Sequence, residues 1–572
     1  MPSRPATAPP PVSATSAWLR YLILAMTVLA LYSMFTGPIA DADTWIHMRN
    51  GQWMLENHRL PIPDPFSWTT YLGKPVYPDE YATRDLNLKH EWLGQVIQYL
   101  EWAVGGAAGT VLFRATCVAG FCVVIGWIVW RRRGNFYLAI GATLAASTLA
   151  RGVAVDRPYV MTYLLLALTM LILEDRRRLW LLPPIFIFWA NLHGGYFMGW
   201  VVLGAYCGEA LFQRLRGKPP ADERMLWGCS IGALLASALN PAIYGVIPGM
   251  FAYRQSFMQN TLREWHSPTL QELSWYTVLL FGAAVAMLAA WRRVRISDWL
   301  LFGVFATLSV MAQRNVIFIA MIAPIVIASY LPKRKFAMPR AAEFAIAVAI
   351  AFIAGQRIAS GNAFQLRVSS WKFPDGAVKF LKDHNVSAPM FNIYEWGGYL
   401  LWSAWPQEKT FVDGRALNES VFRDYMRIAF NSPDLDFRRL DLRSSTAREL
   451  LDKYGVQVLL VQGFEYGQGS PYYVAPALAI DPQSEFQLVY QDNTAMVFMR
   501  HPPPGVQPLP REAVFTSLES QCLNVIQHEP TSPRCALYLG DMYRKLNVPD
   551  RARRWMEYYE QARRGGADAA GR

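Results

Sequence analysis

Charge is scarce in this chain. Only 17% of its 572 residues are Asp, Glu, Lys or Arg, against about 25% in an ordinary soluble domain, and the deficit points away from a conventional water-soluble globule and toward a membrane. Cysteine and histidine are scarce too, at six and eight residues. No close-spaced Cys/His set of the zinc-site kind occurs. Cys117, Cys122, Cys207 and Cys229 fall in apolar runs, where a thiol packs as a small hydrophobe. The net charge of +12 suggests nucleic acid until it is located. It sits in short clusters between apolar runs with no RNA- or DNA-binding motif around it, so no nucleic-acid partner is expected. Internal duplication and mid-span charges, which a secondary transporter places at the interface of its halves, are also wanting.

What the chain has in quantity is apolar sequence, and it comes in blocks. "YLILAMTVLALYSMFTGPI" (21–39) holds 19 residues without a charge, and about 20 apolar residues cross a bilayer as helix. The run is too long for the core of a signal peptide and no small-residue cleavage pattern follows, so it reads as an anchor behind a disordered cytoplasmic tail, residues 1–17. Eleven candidate spans follow along the chain, at 19–39, 111–130, 136–150, 158–173, 179–193, 196–213, 225–247, 274–291, 298–312, 315–332 and 341–358. Alternate connections hold "RRR", "EDRRR", "RLRGK" with Arg224, "RRVR" and "PKRK" with Arg340, in all 17 Lys and Arg. The short connections opposite hold Arg151, Arg157, Arg254, Arg263 and Arg314. Positive charge collects on the cytoplasmic side. The N-terminus is therefore expected inside, with the first loop and everything after residue 358 outside.

This orientation sorts the reactive side chains onto one face. The first loop, 40–105, opens with "ADADTWIHMRNG" and carries Asp41, Asp43, His47, His58, Asp64, His90 and Glu91. Later outer connections supply Arg151, Asp156, Arg157, His193, Glu264, His266 and Arg314. All eight histidines fall outside. "DTWIHMRNGQWMLENH" and "HEWLGQVIQYLEWAVGG" read as two amphipathic helices lying along the interface, with a proline-fixed turn between them. Each residue alone has a plainer explanation. Asp41 can cap the helix that follows, Trp and Tyr near span ends anchor at the interface, His193 can satisfy a backbone group, and Arg314 can snorkel. Their joint confinement to one face favours a site.

An inner N-terminus, a large first outer loop with acidic residues just after the first span, and an outer C-terminal domain resemble the GT-C class of polytopic glycosyltransferases. That class includes protein O-mannosyltransferases, the lipid A aminoarabinose transferase and oligosaccharyltransferases. The string from Asp41 to Leu93 also resembles the first loop of uncharacterised bacterial membrane proteins placed near that class. The resemblance in layout covers residues 17–358, and that in motif about 40–95. Many O-mannosyltransferase-like members carry Asp-Glu where this chain has Asp-Ala-Asp, which leaves open which carboxylate acts and whether a metal is held.

The resemblance implies transfer of a sugar from a polyprenyl-phosphate-linked donor, at the outer face of a bacterial cytoplasmic membrane, to an unidentified acceptor. The chemistry fits the residues. An acceptor hydroxyl needs a base, and a carboxylate serves; Asp41 comes first by resemblance, then Asp43. The departing phosphate needs fixed positive charge, to which Arg is suited, so Arg151, Arg157 and Arg314 are candidates. His193 and His266 are hydrogen-bond partners, and His47, His90, Glu91 and Glu264 complete the candidate substrate-binding set. If a divalent cation takes part, Asp41 and Asp43 suit Mg or Mn.

From 359 to 505 the composition turns soluble. Helix is expected at "PDGAVKFLKDHN" and "GGYLLWSAW", strand at "APMFNI", "KTFVDGR" and "VQVLLVQ", and a hairpin at "FQLVYQDNTAMVFMR", together a small extracytoplasmic α/β domain. Asp413 and Arg415 either reach a substrate or fix a turn, and an Asp-Gly step points to the turn. Residues 506–572 read as helical. "LGDMYRKLNVPDRARRWMEYYEQA" resembles one tetratricopeptide repeat, with Leu539, Gly540, Tyr543 and Ala552 in register, and a lone repeat packs on its own domain or meets a protein partner. Cys522 and Cys535 lie outside and form a candidate disulfide. The fold class expected is mainly α: a polytopic membrane domain of about 11 spans, an outer α/β domain and a short helical repeat. The competing functions are a non-catalytic scaffold for envelope or polysaccharide assembly and, ranked lower, a transporter.

Overall fold

A computed structural model describes residues 14–332, 338–415, 417–435, 441–466, 469–529 and 533–570. Most of the expected N-terminal tail, the basic residues Lys333, Arg334 and Lys335, and the side chain of Arg263 lie outside the described residues. The chain divides into two compact units. One comprises residues up to Ile39 with Leu100–Ile243 and Leu262–Arg367; the other comprises Ala40–Tyr99, Tyr244–Thr261 and Val368–Arg572.

The first unit is helical. Among the described residues, five helices are long and apolar enough to cross a membrane: Ala17–Phe35, Trp92–Arg133, Phe136–Val153, Gln313–Tyr330 and Arg340–Ala359. Leu179–Leu192, Trp275–Ala289 and Ile296–Met311 are apolar but shorter. The chain is thus a multi-pass membrane protein. Two expected spans look different in three dimensions. The 42-residue helix Trp92–Arg133 is two helices joined end to end at Gly106, whose φ of 55° is open to glycine at little cost. The run at 225–247 splits: one helix ends at Ala236, and Val246–Tyr253 is a separate helix of the second unit.

A network of paired charges lies inside this unit. Arg132 forms bonds of 2.9 and 3.0 Å to the two oxygens of Asp298 and one of 2.6 Å to Glu174. Arg295 meets Glu174 at 2.9 and 3.1 Å and Glu209 at 3.3 Å. Tyr330 donates to Asp298 at 2.6 Å, and Tyr206 and Ser297 donate to Glu174 and Glu209. Asp298 is fully buried, and charges so placed are tolerated only when paired. A second pair, Arg114 with Asp156, is also buried, and Arg114 donates to the carbonyls of Phe35 and Gly37. It therefore caps the first helix, whose last carbonyls have no intrahelical donor. The two chain segments that leave this unit run side by side, with Ile39 N–H donating to Arg367 and Gln365 N–H to Thr36, both at 2.9 Å.

The second unit is built on a four-stranded sheet: β1 (Met390–Asn392), β2 (Val458–Val461), β3 (Gln487–Gln491) and β4 (Met496–Met499), in the order β1-β2-β4-β3. β1 and β2 are parallel; the pairs β2/β4 and β3/β4 are antiparallel. β1, β2 and β4 are buried along their whole length, which is why β2 and β4 read as unbroken apolar runs. "KTFVDGR" is not a strand. It makes a single parallel bridge, Thr410 with Ser67, because its backbone pairs with the short loop segment 66–69: Thr410 N–H donates to Phe66, and Trp68 N–H returns to Thr410.

The helix Asp43–Asn57 forms, but not as an interfacial ledge. Trp45, Ile46, Met48, Trp53 and Met54 are all buried. Trp45 packs edge-on against Phe373 and Tyr399 at 5.5 and 5.4 Å. Beyond the sheet, the helices Ala513–His528 and Arg534–Lys545 are joined by a Cys522–Cys535 disulfide. The latter helix meets Pro549–Ala570 at Gly540, where a side chain would strike Met556.

Candidate functional site

The first loop's carboxylates sit where the chain enters the second unit. Asp41 accepts the N–H of Asp43 at 2.9 Å, satisfying one of the free donors at the start of the helix. Asp41 stands one residue before the N-cap position, which is Ala42 and makes no side-chain cap bond, so its contact closes a turn ahead of the helix and does not make it the N-cap residue. Asp43 opens the helix and lies against Gly414. A Cβ on Gly414 would stand 1.9 Å from Asp43 Oδ1, and one on Gly398 would stand 2.2 Å from the Ala42 carbonyl oxygen. Both glycines are required for this close approach, so the strings "YEWGGYLLW" and "FVDGR" cradle the Asp-Ala-Asp turn.

Asp413 and Arg415 do not reach outward. Arg415 donates to Asp64 at 2.6 and 3.2 Å and to Asp413 at 2.8 and 2.7 Å, and all three are buried. Asp64 also takes the Phe66 and Ser67 N–H groups and the Thr70 hydroxyl. Burial by itself would push the Asp413 carboxyl up, but the Arg415 guanidinium overrides it and holds the group below the usual carboxylate range. This cluster ties the first loop to the loop that carries Gly414.

His47, Glu91 and His90 come together as the first loop's second constellation. Glu91 lies 2.8 Å from His90 Nε2 and 3.7 Å from His47 Nδ1. His90 Nδ1 lies 2.8 Å from the Leu86 carbonyl, a geometry that suits a ring protonated on both nitrogens. Burial disfavours that imidazolium, yet Glu91 and Leu86 outweigh it, and His90 keeps its proton to higher pH than a free imidazole. His47 stands one helical turn from Asp43.

The first unit gathers the remaining candidates. Arg314 bonds Glu264 at 3.2 Å, its guanidinium lies 4.4 Å from the centre of Trp265, and the neighbouring Gln313 N–H donates to the His266 carbonyl at 2.9 Å. "REWHSP" and "QRN" are therefore one structure. Tyr163 packs on Tyr159 at 5.4 Å, and Tyr159 on the His193 ring at 6.2 Å. Gly195 N–H donates to His193 Nδ1 at 3.0 Å, so that nitrogen is the acceptor and the ring proton is assigned to Nε2. The Thr162 hydroxyl, 3.1 Å from the same nitrogen, holds the ring in place and itself accepts from Trp189. Arg151 is set apart: it follows the helix Phe136–Ala150 and is exposed.

Sequence reasoning missed Tyr159 and Tyr163, which look like ordinary interfacial aromatics, and the two cradle glycines, whose role needs the fold. Arg114 had a signal, a lone charge in an apolar run. Among the described residues no group of three or more His, Cys, Asp or Glu is arranged to hold a metal ion.

No protein-family model matches the chain, and no curated protein matches it in sequence. Its structure is similar to that of a GT-C membrane glycosyltransferase. One such match is an archaeal oligosaccharyltransferase, AglB from Archaeoglobus fulgidus, in complex with an inhibitory peptide and a dolichol-phosphate. The TM-score is 0.53 at 10% identity, over 94% of this chain and 86% of that one. The fold is GT-C-like.

Proposed function

We propose that the protein is a membrane glycosyltransferase that moves a sugar from a polyprenyl-phosphate-linked donor to an acceptor at the outer face of the cytoplasmic membrane. One observation carries this reading: the Asp41–Ala42–Asp43 turn, cradled by Gly398 and Gly414, occurs in a chain whose fold matches an oligosaccharyltransferase over nearly its whole length. That protein was solved with dolichol-phosphate, a lipid phosphate of the class proposed here for the donor.

In this reading Asp41 or Asp43 takes the acceptor's proton as the acceptor oxygen attacks the anomeric carbon and the phosphate departs with the bonding electrons. Arg157 and Arg314, with Arg151, supply fixed positive charge to that phosphate. His193, with Nδ1 occupied, offers Nε2–H, and His266 is a further hydrogen-bond partner. His47, Glu91 and His90 contact the substrate beside Asp43. A divalent cation, Mg or Mn, would take its protein oxygens from Asp41 and Asp43 and would offset charge on the phosphate. The eleven-span arrangement and the inner N-terminus belong to this reading on the strength of the charge distribution.

The test is Asp41→Asn and Asp43→Asn in the native host, compared with wild type and a deletion strain at matched membrane abundance. Loss of the same envelope glycan as in the deletion strain, or build-up of the same polyprenyl-linked sugar, is expected from at least one substitution. Two variants that behave as wild type, or a deletion that alters no glycan, would leave the acidic turn a structural feature and bring the scaffold reading forward.

A further inference from the structure

One uncharged stretch outlasts the helix that begins it. From Met225 to Tyr253 the chain runs 29 residues without Asp, Glu, Lys, Arg or His, more than the roughly 20 that cross a bilayer as helix. The helix Glu223–Ala236 holds only the first part. At 14 residues it is about 21 Å long, short of the roughly 30 Å of hydrocarbon in a bilayer. The stretch ends with the helix Val246–Tyr253 of the second unit.

Both faces of that last helix are apolar. Val246, Gly249 and Ala252 are buried, and this inward face is pinned. A Cβ on Gly249 would stand 2.3 Å from Leu86 Cδ2, and the Tyr253 hydroxyl donates to Asn87. Just beyond, the Ser256 hydroxyl and the Phe257 N–H each reach Glu419 at 2.8 Å. The outward face therefore has a fixed direction. It consists of Ile247, 40% exposed, Met250, 43%, and Phe251, 62%, with Pro248 among them. Charge returns at Arg254, which is exposed and whose guanidinium lies 5.8 Å from the centre of the Phe251 ring. Upstream, Leu235, Leu239 and Ile243 are exposed as well, so every fourth residue from 235 to 251 is a large apolar side chain open to the surroundings.

We propose that the outward face of Val246–Tyr253 is a lipid-binding surface, set into the interfacial layer of the bilayer and covered by acyl chains. Water-soluble surfaces rarely leave so continuous an apolar patch open. The exposed apolar series starts on Glu223–Ala236, in the unit that carries most of the long apolar helices, and reaches Phe251 without a charge, so lipid that meets one end can meet the other. An apolar face closed by a cation is the pattern of a helix lying in the interface. The Arg254 stem rests along Phe251 while its head is free to meet lipid phosphates. The surface does not depend on the transferase reading, since a scaffold in the same membrane would use it equally.

The test uses the full chain in nanodiscs of phosphatidylcholine and phosphatidylglycerol. An environment-sensitive NBD fluorophore is attached to Phe251→Cys, to Ile247→Cys and, as a lipid-facing reference, to Val348→Cys, which is exposed on the long apolar helix Arg340–Ala359. Wild type labelled in the same way gives the background from native thiols, and NBD-cysteine in buffer gives the value in water. Labels on Phe251→Cys and Ile247→Cys are expected to emit to the blue of the value in water. They should also lose about half their intensity when the lipid carries a nitroxide near the headgroup end of its acyl chain. Both side chains are exposed, so the variants should melt as wild type does, and should one of them fail to fold the other decides. Emission as in water without quenching at the folded variants would overturn the proposal. So would a blue shift without quenching while the Val348→Cys label is quenched, because a protein surface such as a second copy of the chain would then cover the face.

Discussion

Arg415 offers the sharpest test of how the second unit is held together. Its guanidinium makes four bonds to Asp64 and Asp413, and all three side chains are nearly excluded from water. Replacing it by Met leaves two buried carboxylates with no cation between them. Breaking a buried ion pair from one side costs about 3–5 kcal/mol, which for a unit of this size lowers a melting temperature by about 6–20 °C. Thermal unfolding of the purified chain, followed by tryptophan fluorescence, measures this. The pH dependence has a definite sign. Without Arg415, burial and the neighbouring Asp64 carboxylate act on Asp413 against the hydroxyl and amide donors, so its pKa rises and folding favours the protonated acid. The deficit of Arg415→Met should therefore be smaller near pH 5 than near pH 8. Arg415→Lys keeps the charge but loses the planar fork, and should fall between wild type and Met. A shift under about 2 °C for Arg415→Met, or a deficit independent of pH, would refute the argument that this cluster carries the junction between residues 64–70 and 410–415.

Glu408 is 3% exposed, and its carboxylate has no ion-pair partner among the described residues, only the weak help of the Ala388 backbone. Burial raises its carboxyl from 4.5 to about 8. Stability should fall as pH climbs from 4.5 through 8 and then level off, by up to about 5 kcal/mol, and Glu408→Gln should remove that slope in paired denaturation curves. Gly414→Ala places a methyl against Asp43, so transfer activity should fall as far as in Asp43→Asn at equal membrane abundance, read from the same glycan. Cys522→Ser opens a disulfide spanning 13 residues and should cost about 3 kcal/mol, with a mobility change on non-reducing gels seen only in the wild type.

The sequence by itself determined what local chemistry dictates. Apolar length required helices in a membrane, and helices lie at the positions of the uncharged runs, from Ala14–Phe35 to Arg340–Ala359. Burial on both faces made Val458–Val461 and Met496–Met499 legible as unbroken apolar strands. The acidic turn stood out because two carboxylates directly after a span are conspicuous. Tertiary structure decided everything that depends on a second segment. Helix Asp43–Asn57 reads as interfacial from its own periodicity, because an apolar face looks the same whether lipid or protein covers it; here Phe373 and Tyr399 cover it. "KTFVDGR" has strand composition, but its backbone-to-backbone hydrogen bonds go to Phe66 and Trp68, more than three hundred residues away. A pairing so distant leaves no periodic trace in either segment. Asp64 and Arg415 are likewise 351 residues apart, so the ion cluster that sets Gly414 beneath Asp43 exists only once the chain has folded.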